Sequence, residues 1–436
     1  MQHNMNNQAH TTAILPFSGY QKFVIFLLAT TQFTVILDFM VMSPLGDMLM
    51  KSLSLSPSKF GLAVSAYAFS AGISGLLTAG FADRFDRKKL LLFFYCGFIA
   101  GTIFCGLATS YPALIAARII TGLFGGVIGS ISMAIITDLF TLEQRGRVMG
   151  FVQMGFGASQ VLGVPIGLIL ANNWGWEATF LMVAGLAIIM AVTIALKLQP
   201  VNKHLALQQT KSAFKHLKHT IIIRDYRIGF TATALLSIGG FMMMPFSAAF
   251  AINNLHITTY QLPALFMVSG LSSLVIMPAV GRLSDKVDKF IIFAVASAWM
   301  MVMVTIYTNL GPTPLWLVMV LNVLMLSGIM SRMIPSSALT SAIPDAADRG
   351  AFMSINASLQ QIAGGIAAAI AGMIVVQKDK FSPLENYNKV AYVVIFISVI
   401  SIYLLYRVSE LVKRKSRRPA PGSLPDELLP AGAESR

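Results

Sequence analysis

Twelve long apolar stretches constrain the fold of this 436-residue chain more than any other feature. A helix of about 18 or more mostly apolar residues can cross the roughly 30 Å hydrocarbon layer of a bilayer. With 56% hydrophobic and 11% charged residues, the chain lacks the polar surface of a soluble domain. The sequence therefore predicts an all-α membrane protein with twelve transmembrane helices, at 22–43, 59–82, 90–109, 113–139, 147–171, 177–198, 228–252, 262–283, 290–310, 314–340, 351–376 and 389–407.

The net charge of +14 is compatible with an anionic partner such as nucleic acid, but its distribution indicates another cause. If both termini lie inside, 25 of the 32 Lys and Arg fall in cytoplasmic segments, 5 in external loops and 2 within spans. This positive-inside bias orients multi-span proteins and requires no nucleic acid. The pattern predicts a cytoplasmic N-terminal tail at 1–21, a basic cytoplasmic connector at 199–227 and a disordered cytoplasmic tail at 408–436.

Two pairs of charged segments recur at nearly the same spacing. The loop "GFADRFDRKKLLLF" after the second span is repeated as "GRLSDKVDKFIIF" after the eighth, so that Asp285 follows Asp83 by 202 residues. An Arg-Gly pair precedes the fifth and eleventh spans, with Arg349 following Arg145 by 204 residues. Such a repeat indicates an internal duplication. We therefore expect two pseudo-symmetric six-helix bundles, at 22–198 and 228–407.

Several motifs resemble those of the major facilitator superfamily, over about residues 20–408. The loop "AGFADRFDRKK" is similar to the family's signature between spans two and three, although Asp86 replaces a glycine. "ARIITGLFGGVIGS" in the fourth span resembles the arginine-containing motif of proton-driven members. "GFGASQVLGVPIG" in the fifth span resembles the Gly-Pro motif of exporters, with Val164 inserted. "LDFMVMSPLG" and "SRMIPSSALTSAIPDAADRGAFMS" look like segments of drug and sugar efflux antiporters, the arabinose-efflux-permease-like branch.

This resemblance implies a secondary transporter in a bacterial inner membrane that works by alternating access. The expected function is proton-coupled efflux of a drug, sugar or metabolite by a monomer, with the proton gradient as energy source and without cofactor or metal. The alternative is a proton-coupled importer or a facilitator of a nutrient or metal chelate. A membrane sensor or scaffold would need a soluble output domain, for which the sequence offers no long polar segment. An enzyme is not expected, because no nucleophile–base pair or phosphate loop is visible.

The aspartates of the two repeated loops are candidates for a conformational latch. A helix N-terminus stabilises a nearby carboxylate. The resemblance implies that Asp83 meets the start of the eleventh span near Arg349, and Asp285 the start of the fifth near Arg145, when the cytoplasmic side is closed. Alternatively, these charges only solvate a tight turn and set orientation. The candidate latch residues are Asp83, Arg84, Arg87, Asp285, Lys286, Arg145 and Arg349.

Three charged residues lie well inside spans: Asp38, Arg118 and Arg332. On insertion scales each costs on the order of 2.5–3.5 kcal/mol near a helix centre, so a function is expected for each. Asp38 shares a helix face with Thr31 and Thr34, and we predict that it takes up and releases the coupled proton. The alternative is a permanent ion pair of Asp38 with either arginine. The resemblance implies that spans one, four, seven and ten, which carry all three, line a central cavity.

The two arginines have open alternatives. Arg118 is followed by glycines at four-residue spacing, which permits close packing with another helix. It is therefore either a proton-relay residue near the cavity or a residue near the outer end that reaches towards headgroups. Arg332 could attract an anionic substrate or the carboxylate of Asp38.

Further candidates are small or polar residues within spans. The helix-packing and exporter-motif candidates are Gly122, Gly126, Gly157, Gly163, Pro165 and Gly167. The candidate substrate contacts are Thr34, Gln153, Gln160, Met243, Asn322, Asn356 and Gln360. Polar residues in spans also form interhelical hydrogen bonds, and methionine also fills gaps in apolar cores, so both alternatives stay open.

Overall fold

The computed structural model describes residues 16–78, 82–202, 205, 213–345 and 348–416. In these segments, twelve helices are long and apolar enough to cross a membrane, which confirms the predicted number. The ends of the predicted tails, 1–15 and 417–436, lie outside the described residues. We number the helices spans 1 to 12: Gly19–Val41, Pro57–Thr78, Arg87–Gly106, Tyr111–Leu139, Glu143–Trp174, Trp176–Lys197, Arg224–Asn253, Leu262–Lys286, Lys289–Thr308, Leu315–Ser341, Arg349–Ile374 and Tyr387–Lys415.

Two aspartates of the repeated loops start spans 3 and 9. Asp86 accepts a hydrogen bond from the backbone N–H of Lys88 at 2.7 Å, and Asp288 accepts one from Phe290 at 2.8 Å. A side-chain acceptor at this position satisfies backbone donors that the helix leaves free. Both aspartates have negative φ angles, −56° and −54°. The residue that replaces the family's glycine is therefore a helix cap, and no left-handed backbone is needed.

The segments between and after the bundles are more helical than expected. The last helix continues to Ser416, so that the predicted tail at 408–436 begins within it. Its last turn carries Lys413, Arg414 and Lys415, and cations are favourable at a helix C-terminus. The predicted connector at 199–227 contains a short helix, Ala213–Ile222.

Two spans are interrupted near their middle. Span 5 widens into a single turn of π-helix at Ser159–Gly163, which ends two residues before Pro165. Span 7 breaks around Pro245, and its last segment is the helix Ser247–Asn253. Proline has no backbone N–H and disfavours a continuous helix. Such irregular turns often lie where helices move or bind ligands.

The two halves pack against each other through spans 2 and 11 and through spans 5 and 8. A Cβ atom on Gly61 of span 2 would lie 2.6 Å from the carbonyl oxygen of Ala368. The hydroxyl of Ser65 donates to the carbonyl of Gly365 at 2.7 Å. Small residues allow helix backbones to approach this closely in a membrane. The fold is thus two pseudo-symmetric six-helix bundles joined along two glycine-lined seams.

An even number of spans places both ends of the chain on one face, which we call the terminal face. On the opposite, distal face, the halves are hydrogen-bonded to each other through Asp47, Lys51 and Asn253, which we call the distal clamp. Asn253 at the end of span 7 donates to Asp47 at 2.6 Å, and Lys51 donates to Asp47 at 2.8 Å. Lys380, from the loop before span 12, donates to the carbonyl of Lys51 at 3.1 Å. The distal face is therefore closed.

Candidate functional site

Asp38 and Arg118 form an ion pair enclosed by spans 1 to 4. Arg118 Nη1 donates to Asp38 Oδ2 at 2.8 Å, and the hydroxyl of Thr102 in span 3 donates to Asp38 Oδ1 at 3.1 Å. Both charged side chains are 0% exposed. Charges are stable in such surroundings only when they are paired and hydrogen-bonded. Of the two arginines considered as partners of Asp38, the structure pairs it with Arg118.

The guanidinium of Arg118 is only partly satisfied by this pair. It stacks on the ring of Tyr67 in span 2, with Cζ 4.5 Å from the ring centroid. An aromatic face attracts a cation, and more strongly where water is excluded. The other two nitrogens, Nε and Nη2, are buried without a hydrogen-bond partner among the described residues. Arg118 thus contacts Asp38 through a single nitrogen and does not form the bidentate pair that arginine can form with a carboxylate.

Glycines bring spans 2, 3 and 4 close enough to enclose the pair. A Cβ atom on Gly122 would overlap the carbonyl of Tyr67 in span 2, and one on Gly126 would lie 2.6 Å from the carbonyl of Ala71. A Cβ atom on Gly101 of span 3 would lie 2.7 Å from a backbone nitrogen of span 4. The glycine seam after Arg118 therefore faces protein and seals the site from lipid and solvent.

Sequence reasoning singled out Asp38 and Arg118 but missed Thr102 and Tyr67. Neither missed residue is charged, and single threonines and tyrosines are ordinary in membrane spans. The sequence therefore carries no signal that distinguishes them, since their role depends on how four helices are rotated about their axes.

The structure corrects the expected position of all three intramembrane charges. Asp38 and Arg118 lie within the N-terminal bundle and do not line a cavity between the halves. Arg332 lies in the other half, 2% exposed, where it donates to Ser398 of span 12 at 3.3 Å and faces the ring of Phe293 in span 9. It therefore makes no contact with Asp38. The sequence predicted which spans carry these charges but not how the spans are rotated, because helical period alone does not fix which side of a buried span faces the cavity.

A narrow cavity lies between the halves beneath the distal clamp. Its volume of about 20 Å³ is enough for about one water molecule. The lining is mostly apolar and includes Phe39, Met42, Phe241 and Met244, with Gln361 as a polar group. Methionine and aromatic side chains adapt to ligands of varied shape. None of the seven predicted substrate contacts is among its lining residues.

Two of those predicted contacts form hydrogen bonds between helices. Gln160 in the π-helical turn of span 5 accepts from Ser273 of span 8 at 3.1 Å, across the two halves. Asn322 of span 10 donates to Ser269 of span 8 at 2.7 Å. Both side chains thus have the interhelical role that was the alternative to substrate binding.

The other five predicted contacts are scattered. Thr34 is buried against a tyrosine hydroxyl of span 3, and Met243 is buried at the break in span 7. Asn356 is buried, with its Oδ1 atom unpartnered among the described residues. Gln153 and Gln360 are exposed. The structure therefore does not gather the predicted contacts into one site.

The glycines of the exporter-like motif in span 5 each face a different neighbour. A Cβ atom would lie 2.9 Å from a side chain of span 8 at Gly157, 2.6 Å from span 1 at Gly163 and 2.7 Å from span 6 at Gly167. Pro165 is buried just after the π-helical turn. This motif therefore places span 5 at the centre of the contacts between and within the bundles.

The structure does not bring Asp285 and Arg145 together. Asp285 and Lys286 at the end of span 8 are exposed, as is Arg349 at the start of span 11. Arg145 donates to two backbone carbonyls at the end of span 4, at 2.7 and 3.1 Å. The latch between Asp285 and the start of span 5 stays a prediction for a state in which the terminal face is closed.

In the first of the repeated loops, Arg87 is tied to its own half. It donates through Nε to Asp138 at the end of span 4, at 3.4 Å, and through Nη1 to the carbonyl of Ala82 at 3.0 Å. Arg84 is exposed, and the side chain of Asp83 lies outside the described part of the chain. Arg87 therefore holds the loop against span 4 in this state.

Comparisons with known proteins agree with this architecture. The family model described as Major Facilitator Superfamily matches residues 28–368. An uncharacterized MFS-type transporter of Bacillus subtilis (strain 168), YceJ, is 26% identical over 272 residues, or 61% of this chain and 68% of that protein. Multidrug resistance protein 2 of the same organism is 25% identical over 278 residues, or 62% of this chain and 68% of that protein.

Solved structures share the fold at low sequence identity. A bacterial homologue of the human lysosomal transporter Spinster superposes with a TM-score of 0.75 at 15% identity, covering 93% of this chain and 100% of that chain. Twelve spans in two bundles, a duplicated charged loop and a family match over most of the length lead to one assignment. The chain belongs to the Major Facilitator Superfamily of membrane transporters.

Proposed function

We propose that this protein exports small, largely apolar molecules in exchange for protons, and that Asp38 carries the proton. The observation that supports this most is the enclosed ion pair between Asp38 and Arg118, with both side chains 0% exposed. Ionisable residues inside membrane spans mark proton pathways, and here the carboxylate and its partner are sealed by four helices.

The proposed cycle couples protonation of Asp38 to its pairing with Arg118. A proton that binds Asp38 in the distal-open state neutralises the carboxylate and leaves the Arg118 guanidinium without its counter-charge. When the distal face closes, Arg118 donates again to Asp38 and the proton leaves towards the terminal face. The closed distal face and the formed pair correspond to the state after this release. A ligand that favours one of these states shifts the equilibrium by its difference in affinity for the two.

Two observations support export of an apolar substrate. One relative bears the name Multidrug resistance protein 2. The cavity between the halves is too small for a substrate in this state, but its lining is mainly Phe, Met and other apolar side chains, which would suit a varied hydrophobic ligand once the halves separate. We further propose that the terminal face is cytoplasmic, that the membrane is a bacterial plasma membrane and that the monomer works on the proton gradient alone.

The test measures proton movement in proteoliposomes that contain a pH-sensitive dye, with tetraphenylphosphonium, xylose and benzoate as probes of three substrate classes. The native protein should move protons in the direction opposite to tetraphenylphosphonium. Asp38→Asn should lose this flux by at least tenfold while it still exchanges labelled against unlabelled probe. Glu177→Gln, which changes a carboxylate outside the site, should behave as native.

Two results would contradict the proposal. Probe movement that ignores the pH gradient, with Asp38→Asn as active as native, would indicate a facilitator in which the pair is structural. Protons that move in the same direction as the probe would indicate an importer.

A further inference from the structure

The connector between the halves carries a ten-residue helix, Ala213–Ile222, outside the spans. A single residue, Ile223, separates it from Arg224, where span 7 begins. Because span 7 begins at that point, we expect the helix to lie near the lipid headgroups on the terminal face. Its sequence, "AFKHLKHTII", mixes apolar and basic residues at helical spacing.

One side of this connector helix is docked on the C-terminal bundle, against spans 7 and 11. Leu217 is buried in a cluster with Tyr226 of span 7 and Phe352 and Ile355 of span 11. Thr220, three residues after Leu217 on the same side, is also buried. The helix is therefore fixed to the bundle, and its orientation is set by this contact.

The exposed side chains that the structure describes on this helix, at 218, 219, 221 and 222, are apolar or basic. Ile221 and Ile222 are 46% and 63% exposed, although two adjacent isoleucines would be favoured inside a protein. Lys218 and His219 are exposed beside them. Helices that combine exposed apolar side chains with Lys or Arg bind in the plane of a membrane surface, with the apolar residues among the acyl chains and the cations at the headgroups.

The sequence around the helix is mainly basic. Residues 211–227 contain five Lys or Arg and one acidic residue, Asp225. Arg224 and Arg227 at the start of span 7 are exposed, next to the helix in sequence. Basic residues at a bilayer surface are attracted by anionic lipids. A neutral bilayer can accommodate the isoleucines, but it carries no net negative charge to attract the cations.

We propose that the helix Ala213–Ile222 binds the surface of a bilayer rich in anionic lipids, with Lys218 and Arg224 at the headgroups and Ile221 and Ile222 among the upper acyl chains. Through Leu217 and its contacts with Phe352 and Ile355, this binding holds the start of span 11. Lipid charge thus sets how firmly the first turn of that span is fixed.

The experiment places an environment-sensitive fluorophore, NBD, on His219→Cys in a Cys96→Ser background, since Cys105 is buried. The full-length protein is reconstituted in nanodiscs of phosphatidylcholine alone or with phosphatidylglycerol, with brominated acyl chains as quenchers. Quenching should be at least threefold stronger in the phosphatidylglycerol discs and should weaken in high salt. A label on Lys286→Cys, exposed on the terminal face outside the connector, should show no such difference.

Two variants separate the parts of the proposal. Lys218→Gln with Arg224→Gln should remove the phosphatidylglycerol dependence, while Ile221→Asn with Ile222→Asn should lower quenching in both lipids. Each variant should unfold at the native temperature, because none of the four side chains is in the docked contact. Equal quenching in both lipids would overturn the proposal. Relief of quenching by soluble inorganic phosphate would also overturn it. A response seen only in native membrane vesicles would overturn it as well, because it would indicate a protein partner.

Discussion

At the scale of single residues, the ion pair of Asp38 and Arg118 is completely buried, but its hydrogen-bonding groups are only partly satisfied. Asp38 accepts two hydrogen bonds. Arg118 donates to it through one nitrogen, and its other two nitrogens have no hydrogen-bond partner among the described residues. Breaking a buried pair by removal of one partner is strongly destabilising because the other charge is left uncompensated. A proton on Asp38 keeps the side chain in place but likewise leaves the buried charge of Arg118 without its counter-charge.

Thr102 should stabilise the carboxylate of Asp38 through its hydroxyl. Thr102→Val keeps the shape of the side chain but leaves Oδ1 without a donor, and we expect a loss of about 1–3 kcal/mol in unfolding free energy. Thr102→Ser retains the hydroxyl and should lose less than half as much. Thermal unfolding of the purified protein in detergent, followed by tryptophan fluorescence, measures both. A serine variant as unstable as the valine variant would contradict this role.

The sequence identified the charges of this site because a charge inside a span is rare and costly. It did not identify which arginine pairs with Asp38, nor the stacking of Arg118 on Tyr67. These depend on helix rotation, which the glycine seam of span 4 sets through contacts with a distant part of the chain. Local patterns therefore predicted the site's charged residues but not its geometry.

At the scale of elements, the seam between spans 2 and 4 depends on the absence of side chains. Gly126→Val would place a Cβ atom 2.6 Å from backbone atoms of Ala71, which cannot move aside like a flexible side chain. We expect a loss of about 1–3 kcal/mol or more. Gly150→Ala, where the structure leaves open space, should be neutral or slightly stabilising. If the two variants had the same unfolding temperature, the seam would not be packed as described.

The ends of spans 9 and 12 are joined by Asp288 and Lys413 at 3.0 Å, and this contact predicts a pH dependence. The hydrogen bond from Lys413 lowers the pKa of Asp288 below its ordinary value of 3.8. The pair therefore contributes its full stability above about pH 4 and loses it as the pH falls through the lowered value. Asp288→Asn keeps a capping acceptor, so its comparison with native isolates the ion pair.

Because both side chains are partly exposed, we expect a difference of about 1 kcal/mol or less at pH 7. It should shrink as the pH falls below about 4 and in high salt. Lys378→Gln, which removes an exposed pair in another loop, serves as the control. A gap between native and Asp288→Asn that widens in acid would contradict the assignment.

The elements themselves were well predicted, since twelve apolar stretches became twelve spans. The interruptions within spans 5 and 7 were harder to predict from the sequence. The π-helical turn in span 5 arises where Ser159 bonds to the carbonyl of Phe33 in span 1, a contact that no local pattern reveals. Likewise, span 12 extends to Ser416 through basic residues whose sequence is equally compatible with a disordered tail.

At the scale of the whole molecule, the distal clamp holds the two halves together on one face. Asp47→Ala removes the acceptor of both Asn253 and Lys51, and we expect a larger population with the distal face open. Spin labels at Leu107 and Gly311, exposed distal positions of the two halves, should show a longer distance in Asp47→Ala than in native protein. The background is Cys96→Ser, and Lys378→Gln on the same face should leave the distance unchanged. An unaltered distance distribution in Asp47→Ala would show that spans 2 and 11 alone keep the face closed.

Two of the distal contacts join positions that correspond in the two halves. Ser43 and Ser247 are 204 residues apart and 3.3 Å from each other, and Lys51 and Asn253 are 202 residues apart, the same spacings that relate the duplicated loops. In these contacts, a surface of one half binds the corresponding surface of the other half. Two identical ancestral chains would have associated through such a surface. In such a pair every substitution changed both sides of the contact at once. After fusion, an acid in one copy could face an amide in the other, so that evolution could adjust the strength of this closure one residue at a time.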